Sequence, residues 1–173
     1  MAGLVWKDAR EQAKAIRSAY RVSRHGLSDL ERVAGILGAE VFYEKLPKDQ
    51  AGFIVKRPEE PFASIVINKR DIPERQRFTL AHEIGHLVDR QRMAGDERFS
   101  FMDYRDNRNN YSLHEFFADE FAGELLMPAI PLLTELARSS QYEVAAKFGV
   151  TPAAVDRRIA RLQKNLPEEL MDA

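Results

Sequence analysis

The stretch FTLAHEIGHLVD, Phe78 to Asp89, contains His82-Glu83-x-x-His86 and decides how the rest of the chain is read. In a helix of about 3.6 residues per turn, residues four apart stand one above the other on the same face. Two imidazoles so placed can reach one ion. Glu83, beside the first of them, can take a proton from a water at that ion without binding the ion itself. The pattern is the His-Glu-x-x-His signature of zinc peptidases. Zinc sites that do chemistry use three protein ligands and leave the fourth position open, so a third donor is needed.

Around this stretch the pattern is α+β. Asp71-Ile72-Pro73-Glu74 starts the helix, with proline near its first turn, and the helix should run to about Arg90. Phe78, Ala81, Ile84, Gly85 and Val88 can face the core, and Gly85, a poor helix former, implies that another element packs closely there. Three strands precede it, over Glu40–Lys45, Gly52–Lys56 and Ala63–Asn68, separated by Pro47 and by RPEEP at residues 57–61. They predict a small, mostly antiparallel three-stranded sheet on the His-bearing helix. An edge strand there either pairs with a substrate backbone or only supports the helix, and ASIVIN is the expected docking edge. Two helices come first, over Lys7–Val22 and from Ser28, where Ser28-Asp29-Leu30-Glu31 has the form of a capping box and Gly38 can close the helix.

Residues 93–110 are polar and irregular, a loop that either covers the site or is a surface excursion. A second key helix spans Ser112 to about Met127, with Leu113, Phe117, Phe121 and Leu125 as its core stripe. Pro128 leads into another helix to about Arg138. The tail reads as helix, turn at Phe148-Gly149-Val150, and a helix with Thr151 as N-cap and Pro152 at its first position. The expected division is residues 1–128 and a helix-turn-helix-like segment over residues 129–173.

Glu115 is the best candidate for the third ligand. Asp119, one turn later on the same side, could accept the free N–H of a ligand His and fix its orientation. Ser112-x-x-Glu115 is also a capping box, which would use Glu115 at a helix end. His114 is the other candidate ligand, but it lies about 100° around the helix from Glu115. It could instead support the site, or act as an electrophile near a substrate carbonyl.

RQRFTLAHEIGHLVD at residues 75–89 and EFFADEFAGELLMP at residues 115–128 resemble the ImmA/IrrE family of zinc-dependent metallopeptidases. GFIV, IVIN and the Phe-Gly-Val-Thr turn are also similar to that family, so the resemblance runs from about Glu40 to Leu162. It implies a zincin-like core. It implies zinc, or another divalent metal such as Mn2+, on His82, His86 and Glu115, with Glu83 as general base and then acid. Asp119 would stand behind a ligand His, as in the Glu-x-x-x-Asp pattern of thermolysin-like proteases. Phe117 stands where the family often has a glutamate, which leaves Glu115 as the one carboxylate at that place. The implied substrate is a helix-turn-helix (XRE-type) repressor, cut to switch on stress or mobile-element genes. The developing oxyanion needs a further donor, and His114, Tyr111 and Tyr104 are the candidates.

Composition sets outer bounds. The 173 residues are 45% hydrophobic and 31% charged, and 26 basic against 27 acidic residues give a net charge of −1. That balance argues against coating nucleic acid or membrane by bulk attraction. Cysteine is absent, which removes disulfides and thiolate ligands. The N-terminal stretch lacks a signal-peptide pattern and no apolar run reaches membrane-span length, so a cytoplasmic protein is expected. A rival reading is a metal-sensing DNA-binding regulator whose last helix offers Arg157, Arg158, Arg161 and Lys164 to phosphates. Another is a protein that captures a repressor without cutting it.

Overall fold

The computed structural model describes residues 2–93, 101–103 and 112–170. In chain order these form α1 (Ala2–Tyr20), α2 (Ser28–Ile36), β1 (Ala39–Glu44), β2 (Gly52–Lys56), β3 (Ala63–Asn68), α3 (Pro73–Met93), β4 (Phe101–Asp103), α4 (Leu113–Leu126), α5 (Ala129–Leu136), α6 (Gln141–Phe148) and α7 (Pro152–Lys164). A 3-10 turn over Glu168–Leu170 follows. The fold is α+β, with a small mixed sheet on the His-bearing helix, as the sequence pattern predicts.

The sheet order is β1-β3-β2-β4. β2 and β3 are antiparallel, as are β2 and β4, whereas β1 runs parallel to β3 with Ala39 opposite Ala63. Two expectations change here. β4 lies within the stretch read as irregular, and three residues of pairing are too short to show in a hydrophobic pattern. ASIVIN is not an edge but an interior strand, with Ala63, Ile65 and Ile67 fully buried. Its burial alternates, with Ser64 and Val66 half-buried, so one of its faces is the more covered. The edges are β1 and β4.

α3 is enclosed on all sides from Thr79 to Asp89, because β2 and β3 lie against it from one direction and α4 from another. α4 is the hub of the helical layer, packed by α3, α1 and α7. Phe117, Phe121 and Leu125 of its expected stripe are buried, but Leu113 is 60% exposed, since it lies in the first turn beyond the edge of the core. α2 starts at Ser28 without a side-chain cap; Asp29 instead accepts from the Ser23 backbone N–H at 2.9 Å and ties down the preceding loop. One core cluster runs from Ala9 in α1 through the sheet, α3 and α4 to Leu162 in α7.

The tail forms the predicted helix, turn and helix. Thr151 caps α7 by accepting from the Ala154 N–H, and Gly149 takes the left-handed conformation that ends α6. A Cβ on Gly149 would lie 2.5 Å from the Arg24 carbonyl oxygen, so only glycine lets this turn sit against the α1–α2 loop. Arg77 of α3 pins the same loop, donating to the Gly26 and Ser23 carbonyls at 2.9 and 2.6 Å.

Candidate metal centre

The separation of α3 and α4 is set between the two His residues. A Cβ on Gly85 would come within 2.9 Å of the Ala118 Cα, so glycine is what allows α4 to approach. Ala118 lies between Glu115 and Asp119, and Gly85 between His82 and His86. The closest helix contact therefore lies amid the groups that must meet. Ser112 accepts from the Glu115 backbone N–H at 3.2 Å, so it caps α4 through the main chain while the Glu115 carboxylate turns to the imidazoles. The capping reading of Ser112-x-x-Glu115 therefore holds for the main chain, and the Glu115 carboxylate is directed elsewhere.

His82 Nε2 and His86 Nε2 are 3.0 Å apart. Glu115 Oε2 is 3.4 Å from the first and Oε1 is 3.1 Å from the second. Donors about 2.0–2.1 Å from a tetrahedral ion lie roughly 3.3 Å from one another, and with one Glu115 oxygen facing each imidazole the three side chains are close enough to share a divalent ion. Two imidazoles and one carboxylate are also a donor set suited to zinc. Asp119 Oδ1 sits 2.9 Å from His82 Nδ1, which fixes that ring with Nε2 directed at the triangle. Both His rings are almost fully buried, and Glu83 beside them is 3% exposed.

The charges are strongly coupled. Burial pulls the His82 imidazole down, but its hydrogen bonds to Asp119 and Glu115 and the Glu83 charge outweigh that and bring it up to about 9. Burial works the other way on Glu115, yet hydrogen bonds from His82 and His86 hold it well below the usual carboxylate range. A cavity that draws a proton onto a buried imidazole is one that a divalent cation would satisfy better.

His114 does not join the triangle. Its Nδ1 lies 2.5 Å from Asp89 Oδ2, one helical turn beyond His86. Tyr104 and Tyr111 lie outside the described residues.

The sequence reading missed a second charged cluster on α4. Glu120 and Glu124 are fully or nearly fully buried. Arg10 of α1 donates to Glu120 at 3.0 Å, and Arg158 of α7 donates to Glu120 at 3.2 Å, to Glu124, and to the Met127 carbonyl at 3.2 Å. Arg161 reaches Asp119 at 2.9 Å and Glu120 at 3.4 Å. The signal was present as two carboxylates one turn apart in the apolar ADEFAGELL, together with Arg158-x-x-Arg161 in the tail.

A mixed sheet over a helix carrying two His residues one turn apart, with a carboxylate from a facing helix, defines a zincin-like metallopeptidase fold. The peptidase M78 model, described as the IrrE N-terminal-like domain, matches residues 34–160. The chain belongs to that family. It is also similar to the radiation response metalloprotease IrrE of Deinococcus radiodurans, with 29% identity over 130 residues that cover 74% of this chain. The matched region is 37% of that relative's length, so this chain spans little more than a third of it. Among the described residues, no helix is long and apolar enough to cross a membrane.

Proposed function

We propose that this protein is a zinc-dependent endopeptidase of the cytoplasm that cuts a helix-turn-helix repressor. The observation that carries the metallopeptidase reading is the triangle of His82, His86 and Glu115 with Glu83 buried beside it. A divalent ion held there would polarise a scissile carbonyl and lower the pKa of a water; Mn2+ could serve as well as zinc. Glu83 takes up the proton and hands it to the leaving amine. Asp119 keeps His82 in the ligand orientation. His114, held by Asp89, is one of three candidates, with Tyr104 and Tyr111, for the donor to the developing oxyanion. A substrate backbone pairs along an edge strand of the sheet, β1 or β4. The repressor as substrate rests on the family resemblance, and the relative's name, a radiation response metalloprotease, supports a place in stress response.

The DNA-binding reading has less support. Of its four basic residues, Arg158 is buried and Arg161 pairs with α4 carboxylates. The exposed face of α7 keeps Arg157 and Lys164 beside Asp156.

The test incubates the wild type and Glu83→Gln with candidate repressors, with and without zinc, and reads products by intact mass. One defined cut that needs both zinc and Glu83 is expected. The substitution should lower kcat/KM by about 10²–10⁴-fold while zinc stoichiometry stays at wild-type level. Cutting by Glu83→Gln at the wild-type rate would remove the protease reading, and tight binding without a cut would favour capture.

A further inference from the structure

We propose that Arg161 on α7 is a positioning residue for the metal ligand His82, acting through Asp119. The C-terminal helix is then part of the metal centre. This rests on the metal reading of His82, His86 and Glu115.

Each oxygen of Asp119 meets a partner among the described residues. Oδ1 lies 2.9 Å from His82 Nδ1, and Oδ2 lies 2.9 Å from Arg161 Nη2. A carboxylate held at one oxygen can still swing about its side-chain torsions, and the imidazole it holds swings with it. Pinning the second oxygen removes that freedom. The pin is itself fixed. Arg161 Nη1 reaches Glu120 Oε1 at 3.4 Å, and the guanidinium carbon stands 5.1 Å from the centre of the Phe116 ring. A planar guanidinium can span two neighbouring carboxylates in a way an ammonium cannot.

α7 is in turn unable to drift. Arg158, one turn before Arg161, is buried against Glu120, Glu124 and the Met127 carbonyl. Arg161 is 42 residues from Asp119 in sequence, so the contact forms only when the tail is docked. Partners of ligand histidines typically change metal affinity by about 10–100-fold when removed. Arg161 is one step further out, and its effect belongs near the low end of that range.

The experiment measures zinc affinity of the metal-free full chain by competition with a chromophoric chelator, with circular dichroism and thermal unfolding as the check on folding. Arg161→Met should bind zinc about tenfold more weakly than wild type, and Arg161→Lys should recover part of the loss. Arg157→Met, on the exposed side of the same helix, should bind as wild type. In an Asp119→Asn background, Arg161→Met should cost nothing further, which is the result a purely structural role does not give. Should Arg161→Met fail to fold, Arg161→Gln carries the same comparison. Wild-type affinity in the folded Arg161 variant overturns the proposal, and so does an equal loss with and without Asp119. Unchanged zinc binding in His82→Ala would instead overturn the metal reading beneath it.

Discussion

α4 carries buried charge on two sides, and the two sides are balanced differently. On one, Glu120 and Glu124 face Arg10 and Arg158, with Arg161 also reaching Glu120 at 3.4 Å. On the other, Glu83, Glu115 and Asp119 surround two imidazoles, with Arg161 the cation that reaches Asp119. The first cluster is closed by protein alone. Among the described residues, the second sets three carboxylates around two imidazoles, which carry no permanent charge, and one guanidinium. That contrast separates a structural ion network from a cation site on the same helix. A sequence count of acidic residues on α4 would not have told them apart.

The largest expected effect breaks the closed side. Arg158→Met leaves Glu120 and Glu124 with buried charge that Arg10 cannot fully offset. Removing one partner of a buried pair typically costs about 3–5 kcal/mol, which for a chain of this size is roughly 6–20 °C in Tm. Replacing Arg158, Glu120 and Glu124 together by apolar residues of similar volume should restore most of it, measured by thermal unfolding of the metal-free chain. If the single change leaves Tm where it was, the closed side is no more than a surface network.

Next comes the open side. His114→Phe tests His114 against the other two donor candidates: as the donor it should lower kcat by about 10²–10³-fold, the loss seen when one oxyanion donor is removed, with zinc affinity intact. An equal loss of zinc binding would make His114 a ligand and redraw the triangle.

The smallest effect is graded. Because His82 holds its proton up to about 9 in the metal-free site, zinc must displace it below that pH. Affinity should therefore rise with pH until about 9 and fall by about tenfold for each unit below it. Calorimetry at pH 7 to 9 in buffers of different ionisation enthalpy should find about one proton released per zinc at the lower pH. A flat profile would place the displaced proton elsewhere.

Local pattern carried much of this into view. The ranges of β2 and β3 are the predicted ones, and α3 and α4 differ from expectation by a few residues, because apolar period and helix caps are local properties. Glu115 and Asp119 were legible because their spacing matches the His pair across a helix interface. What stayed hidden depends on partners distant in the chain. The interior position of β3 follows from β1 pairing parallel to it, β4 from a three-residue match to β2, and the burial of Glu120 from Arg10 and Arg158. Asp89 ends the His-bearing stretch, yet its pairing with His114 depends on α4 being in place.

The buried ion network also has a consequence for how the molecule is made. Glu124 leaves the ribosome 34 residues ahead of Arg158, its partner. At about 5–20 residues per second, that is roughly 2–7 s in which α4 has Arg10 but not Arg158 on its closed side. The Asp119–Arg161 contact likewise waits for α7, 42 residues further on. A nascent chain would thus carry its His pair and Glu115 before the contact that steadies one of them, and synthesis of the tail would complete the site.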